Sequence, residues 1–401
     1  MKIGLIREWK QPADKRVALT PALCEVFKER FPDVELVIEA SIDRTFTDSE
    51  YEWIGVAVQH DMSDCDILLG IKEVPIENLI PNKTYLFFSH TIKAQEYNRN
   101  LLQNILANKI RLIDYEPLVW PEGGRILGFG KWAGIVGAYN AFLTLGEKQK
   151  SNNLPPAHTT SGYEECMELL KSVETQSVRI AFTGNGRVAN GIREVLESMQ
   201  LKEVSPEEFL HRTFNETVFV QLKNEDLYER IDGEDWNDSH FYNNHSEYKS
   251  LFGAYLTKTD MLINGMYWED DMPALFTKED TSKQDFALQV IADITCDVEG
   301  SVPITMEATD IYNPTFGWSK SQQCQVEKYG DDTIDIMAIT NLPTEMPKNA
   351  SQEFGHLLLD HIIPLLINDP QNEILDKASI TTFNGNLNSH FEYLRDYVEG
   401  K

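Results

Sequence analysis

The chain has 401 residues, 42% of them hydrophobic and 10% aromatic, enough apolar material for buried cores and, at this length, for two domains rather than one. Its 36 basic and 64 acidic residues leave a net charge of −28, which repels nucleic-acid phosphates and anionic lipid headgroups. No apolar run approaches the roughly 20 residues that span a bilayer, the charged start MKIGLIREWKQPADKR is unlike a secretion signal, and five scattered cysteines without a CxxC pair read as reduced thiols of a cytoplasmic protein.

From residue 1 to about 135, short apolar strands alternate with amphipathic helices: KIGLI, LCEVFKERF, ELVIEA, CDILLGIKE, TYLFFSH, EYNRNLLQNILANK and IRLIDYE. That alternation predicts a parallel sheet flanked by helices. The small-residue helix WAGIVGAYNAFLTLG then reads as a bridge, ending at a polar loop. Beyond it come helix YEECMELLKSV, with Cys166, Leu169 and Leu170 on one face, strand VRIAFTG, and later strands in DMLINGMY and FALQVIADITC. Residues 225–249 hold eight acidic and two basic side chains and read as a solvated insertion. A final amphipathic helix carries Phe354, Leu357, Leu358, Ile362 and Leu365 and is expected to return to the first domain.

In VRIAFTGNGRVANGIREVLESM a strand ends at Gly184, a tight turn carries Gly186, and Gly191 opens a helix. Glycines there let backbone amides approach a pyrophosphate, and the helix N-terminus adds partial positive charge. The third glycine follows four intervening residues instead of two, so an ordinary glycine-rich turn is the competing reading. About twenty residues past the first glycine, where an acidic side chain would bind the ribose 2′-hydroxyl, stand Val204 and Ser205. A neutral residue leaves room for a 2′-phosphate, with Arg187 or Arg212 to pair with it, whereas Glu207 and Glu208 favour NAD. NAD and NADP both stay open.

Strand ends of the first domain place Lys15 and Arg16 after KIGLI, Lys72 at the end of ILLGIK, and His90 at the end of TYLFFSH. In an open parallel sheet such ends line the ligand crevice. Arginine grips a carboxylate bidentately, while a lysine and a histidine exchange protons with an amine or imine near neutral pH. A solvated lysine and a backbone-bonded histidine are the bland alternatives. Glu116 and Arg125 extend the set, the first to tune a neighbouring lysine, the second to hold another carboxylate. His240 and His245 lack a further ligand cluster, and no metal is expected.

KRVALTP, GIKEVP, the histidine after the next strand, the glycine-rich turn and NLPTEMPKNAS together resemble the alanine dehydrogenase, transhydrogenase and saccharopine dehydrogenase superfamily. KTYLFFSHTIKAQEYN, IRLIDYE, GFGKWAGIVGAYN, LINGMYWE and ADITCDVEGS look more specifically like the lysine–2-oxoglutarate reductase half of the bifunctional lysine-degrading enzyme. The resemblance implies an α/β fold of two Rossmann-like domains with parallel sheets separated by a substrate cleft: a catalytic domain from 1–135 plus 340–401, and a dinucleotide-binding domain from 136–339. It implies Lys72 and His90 as acid–base pair tuned by Glu116, substrate held by Lys15, Arg16 and Arg125, and NAD(P)H held by Gly184, Gly186, Arg187, Val188, Gly191, Ser205, Asp293 and Asp297. The expected reaction joins lysine and 2-oxoglutarate into saccharopine, or reverses it. Alternatives are alanine dehydrogenase and a catalytically silent nucleotide-binding protein. Partners are small amino and 2-oxo acids, with a homo-oligomer left open.

Overall fold

The apolar runs of the N-terminal region form six strands: β1 (Lys2–Leu5), β2 (Glu35–Glu39), β3 (Ala57–Gln59), β4 (Ile67–Lys72), β5 (Thr84–Phe88) and β6 (Arg111–Asp114). All pair in parallel, in the order β3-β2-β1-β4-β5-β6. Because side chains alternate across a strand, each run feeds two cores. Ile67, Leu69, Ile71, Leu86, Phe88 and Ile113 enter one, while Leu68, Tyr85, Phe87 and Leu112 enter the other. Helices α1 (Pro21–Arg30), α2 (Asp48–Trp53) and α3 (Arg99–Ala107) cover the sheet. The first starts where Thr20 caps and Pro21 presets the first turn, the second at the reciprocal Thr47–Glu50 capping box.

The computed structural model describes residues 1–10, 13–151, 153–175 and 177–401. It divides into unit 1, Met1–Phe129 with Pro347–Lys401, and unit 2, Gly130–Met346. Helix α4 (Gly130–Gln149), read from sequence as a bridge, is the buried central helix of unit 2. Around it lie α5 (Tyr163–Lys171), β7 (Arg179–Thr183), α6 (Arg187–Ser198), β8 (Lys202–Glu203), α7 (Pro206–His211), β9 (Val218–Leu222), β12 (Met261–Asn264), β13 (Val290–Asp293), β14 (Thr315–Ser319), β15 (Cys324–Val326) and β16 (Thr333–Met337). The sheet order is β15-β14-β16-β13-β12-β7-β9-β8.

Two sequence expectations need correction. The second sheet is mixed, since β14 runs antiparallel to both β15 and β16. Short turns, with no helical crossover between them, can join strands only in that sense. Residues 225–249 are also not solvated throughout: α8 (Asn224–Leu227), β10 (Tyr228–Arg230), α9 (Asp238–Asn243) and β11 (Tyr248–Ser250) make a ribbon. Leu227, Tyr228, Phe241 and Tyr248 are buried in the core of unit 2. The acidic residues set the composition, but the aromatic ones between them supply enough apolar area to order the segment.

The chain then rejoins unit 1 as α10 (Pro347–Leu357), a π-helical turn over Leu358–Ile362, α11 (Ile363–Asn368), α12 (Glu373–Ala378) and α13 (Arg395–Glu399). Phe354, Leu358 and Ile362 enter one core of the first sheet; Leu387, Phe391 and Leu394 enter the other. Among the described residues no helix is long and apolar enough to cross a membrane.

Candidate functional site

In unit 1 the strand order reverses between β1 and β4, the place at which open parallel sheets take their ligands beyond the strands' carboxyl ends. Lys72 closes β4, while His90 and Glu116 stand two residues beyond β5 and β6. The Asp114 carboxylate, fully buried, sets both of those extensions. It accepts the Ser89 N–H at 2.9 Å and the Glu116 N–H at 2.7 Å. Its withdrawal from water pushes that carboxyl up to about 6. His90 takes a left-handed backbone, φ 56°, uncommon for a residue with a side chain. That turn lays its ring along Phe88 and leaves Nδ1 4.0 Å from Glu116 Oε2. Glu116 Oε2 is buried and accepts no hydrogen bond from the described residues, while Oε1 accepts from Arg125 Nη2 at 2.6 Å.

Burial, and then the nearby Arg16 guanidinium, hold the Lys72 amine below its ordinary range. Burial, and then Lys72, do the same for His90. Each shift disfavours the charged form: it brings the Lys72 amine down toward neutral pH and favours the uncharged, proton-accepting imidazole of His90. Arg16 is itself buried: its Nε and Nη2 both bind Asp14, Nε at 2.9 Å, and the guanidinium lies over Phe129 at 4.1 Å. Arg125 is half exposed and Lys15 exposed. The structure thus brings Lys72, His90, Glu116, Arg16 and Arg125 to one end of one sheet; Lys15 turns outward.

Glu8, absent from the residues singled out by sequence, clamps this end. Its Oε1 accepts the Ile71 N–H at 2.6 Å and its Oε2 the Lys72 N–H at 2.8 Å, fixing the tip of β4 to the chain leaving β1. The signal was an acid just past the first strand's apolar run, hidden in REWK, which looks like a charged surface turn. Desolvation, then Asp14, push its carboxyl up to about 8 from an ordinary 4.5. A raised folded value contributes stability that is full below 4.5 and is lost as pH rises through about 8. Glu8→Gln is therefore expected to flatten that decline in urea midpoints measured from pH 5 to 9; an unchanged slope would remove Glu8 from the account.

In unit 2 the glycine turn leaves β7 with Gly184 at φ +95°, where a Cβ would lie 2.8 Å from the Gly265 carbonyl oxygen. Gly186 is the N-cap of α6, with no side-chain cap bond and nothing within 4 Å of the place a Cβ would take. The first turn of α6 therefore begins beside open space, without a side-chain cap. Gly191 serves a different end. Its Cβ would stand 2.1 Å from the Lys131 carbonyl oxygen, and that of Gly134 would meet the Val188 carbonyl oxygen as closely, at 2.0 Å. These glycines let α4 and α6 cross in contact, which gives Gly191 a packing duty.

Two further expectations change. Ser205 caps α7, accepting the Glu208 N–H at 3.2 Å, and the strand order sets β8 and this cap outside β9, away from the glycine turn. Arg212 pairs with Glu208 at 2.8 Å on the same helix. Asp293 is fully buried and accepts from Asn264 Nδ2 at 2.9 Å, Thr295 Oγ1 at 2.7 Å and Thr305 Oγ1 at 2.6 Å. Asn264 Oδ1 accepts in turn from Thr183 Oγ1 at 2.7 Å. The aspartate braces the ends of β7, β12 and β13, and Asp297 lies exposed on the loop beyond. His240 contacts the Tyr248 hydroxyl at 3.0 Å, and His245 is brought to Asp271 at 2.9 Å, a juxtaposition no sequence spacing announced.

Residues 4–136 match the model of the alanine dehydrogenase/PNT N-terminal domain. The chain is 30% identical to an alpha-aminoadipic semialdehyde synthase of Arabidopsis thaliana, over 98% of this chain and 41% of that protein. It is 25% identical to a saccharopine dehydrogenase [NAD(+), L-lysine-forming] of Schizosaccharomyces pombe, over 90% of this chain and 92% of that one. The fold is that of an L-alanine dehydrogenase, with a TM-score of 0.65 at 16% identity, covering 100% of this chain and 99% of the other. The chain spans less than half the length of the alpha-aminoadipic semialdehyde synthases it matches.

Proposed function

We propose that the chain, similar to lysine-forming saccharopine dehydrogenases and alpha-aminoadipic semialdehyde synthases and matching the alanine dehydrogenase/PNT N-terminal domain, is a pyridine-nucleotide oxidoreductase joining lysine to 2-oxoglutarate as saccharopine, or the reverse. One observation carries the reading: a desolvated lysine and a desolvated histidine stand at adjacent strand ends beside two arginines and a glutamate. The residues of the glycine turn fit a dinucleotide, since Gly186 leaves a side-chain-sized opening at an uncapped helix start. When bound, the nicotinamide gives or takes a hydride at the substrate carbon.

The chain's own groups handle the protons. The ε-amine of the substrate lysine adds to the ketone; Lys72 protonates the oxygen of the resulting carbinolamine and His90 accepts a proton from its nitrogen, so water leaves and an imine forms. Glu116 steadies the charge His90 gains, and Arg125, reached by releasing Glu116, grips a substrate carboxylate. Arg16, whose charge Asp14 already balances, holds the lysine amine low and offers the second anchor. Arg125→Gln is expected to raise the KM for 2-oxoglutarate roughly ten- to a hundredfold with a smaller change in kcat.

The pH profile follows from the directions above. A base must be unprotonated, so kcat/KM falls as pH drops through the His90 pKa; because that value lies below the ordinary 6.5, the acid limb belongs below pH 6.5 and should vanish in His90→Asn. A limb above 6.5 would contradict the role. The overall test follows NADPH and NADH oxidation with 2-oxoglutarate plus lysine against pyruvate plus ammonium. Turnover with the first pair alone supports the proposal; turnover with the second alone overturns it.

A further inference from the structure

The turn after β5 is bent against its own preference. His90 and Ala94, on either side of the single turn Thr91–Lys93, both take left-handed backbone, with φ 56° and 51°, which a residue with a Cβ holds only where its surroundings fix it. Part of that fixing is local: Asn98 Nδ2 donates to the His90 carbonyl at 3.3 Å, and the Ser89 hydroxyl bonds that of buried Thr91 at 2.8 Å. The rest comes from the far end of the chain. Tyr393 Oη donates to the Ile92 carbonyl at 3.1 Å and Tyr397 Oη to the Gln95 carbonyl at 2.5 Å, across 301 and 302 residues. Phe391 and Leu394, buried in the core beneath α3, seat the segment that carries both tyrosines, and Gln103 Nε2 holds its last turn by the Val398 carbonyl at 2.6 Å.

We propose that Tyr393 and Tyr397 are positioning residues of the reaction: their hydroxyls latch the turn that follows His90 and so hold its imidazole at Glu116. The inference rests on the dehydrogenase reading for the duty that reading gives His90. Tyr393 is 64% exposed, so its ring adds little to the core and its hydroxyl bond is what it contributes. Desolvation at that hydroxyl, and then the Glu116 carboxylate, hold the phenol above its ordinary range, which keeps the donor protonated. The groups that face His90 are Lys72 and Glu73 from the end of β4, Glu116 from beyond β6 and Lys93 from its own turn. With those charges unchanged, a loosened turn acts on the ring by letting water reach it, and hydration favours the imidazolium.

Phenylalanine at each position keeps the ring and removes one bond. Tyr393→Phe, Tyr397→Phe and the double variant of the full chain are compared with wild type in turnover of lysine plus 2-oxoglutarate, in urea midpoint, and in the NMR titration of the His90 imidazole in [13C]histidine-labelled protein, its resonance assigned by its absence from His90→Asn. The double variant should lose roughly ten- to a hundredfold in kcat with the KM for the nucleotide unchanged, keep its urea midpoint, and show the His90 titration moved up toward 6.5 from its wild-type place below. If the double variant does not fold, Tyr393→Phe carries the same test with a ring that lies mostly in water. A folded variant with kcat and the His90 titration both unmoved overturns the proposal. So does a fall in kcat that tracks the urea midpoint while the titration stays put, the mark of a merely structural contact. A wild-type chain that does not turn over this substrate pair overturns the dehydrogenase reading instead, and the His90 titration then decides the latch by itself.

Discussion

Lys72→Met is expected to lower kcat by roughly two to four orders of magnitude without lowering the urea midpoint of unfolding. Methionine keeps the length of the side chain and removes the ammonium, whose burial beside Arg16 disfavours the charged form in the native chain. Taking away a desolvated cation relieves the fold while it disables proton transfer. The combination distinguishes the proposed role from a structural one, since a lysine needed for packing or pairing would cost activity and stability together. A variant turning over at a near-normal rate removes Lys72 from the chemistry, and the bond that Glu8 makes to the Lys72 N–H would then be scaffolding only.

The second large effect concerns two glycines of one turn that have opposite duties. Gly191→Ala places a methyl 2.1 Å from the Lys131 carbonyl oxygen and 2.9 Å from the Ile135 nitrogen. Both are main-chain atoms of a buried helix, so the crossing of α4 and α6 must open. Overpacking of this kind should take about 3 kcal/mol from unit 2, read as a lower urea midpoint at unchanged slope. Gly186→Ala meets nothing within 4 Å and should change stability by less than about 0.5 kcal/mol. Its methyl instead fills the opening at the start of α6, so dinucleotide affinity should fall while the fold holds. If Gly186→Ala unfolds the chain and Gly191→Ala does not, the two assignments are reversed.

These pairs mark what was legible in the sequence. Five strands of the first sheet were, because each is a continuous apolar run followed by punctuation, and the residues just past three of those runs include Lys72, His90 and Glu116; β3, three residues with no buried side chain, was not. The glycine turn was visible as a motif, but the separate duties of Gly186 and Gly191 depend on which helix lies across α6, a contact between segments some fifty residues apart in sequence. The strand beside β7 was not legible for a related reason: counting about twenty residues forward from Gly184 reaches Val204 and Ser205, just past β8, whereas the strand that pairs with β7 on that side is β9. Asp293 was read as a ligand-facing acid because nothing local shows that Asn264, Thr295 and Thr305 all converge on it. The pairing of Arg16 with Asp14, only two residues away, was not visible either, because the loop that bends them together gives no periodic signal.

Unit 2 is a single uninterrupted stretch, 130–346, whereas unit 1 needs Pro347–Lys401 to cover both faces of its sheet. During synthesis on the ribosome the later-starting unit is therefore whole while the earlier one still waits, with Leu69, Phe88 and Ile113 lacking the helix that carries Phe354 and Leu358. Nascent chains stalled once residue 346 has cleared the ribosomal exit tunnel should present a protease-resistant second unit attached to a cleavable first one, and the sheet end that carries Lys72, His90 and Glu116 would mature after unit 2.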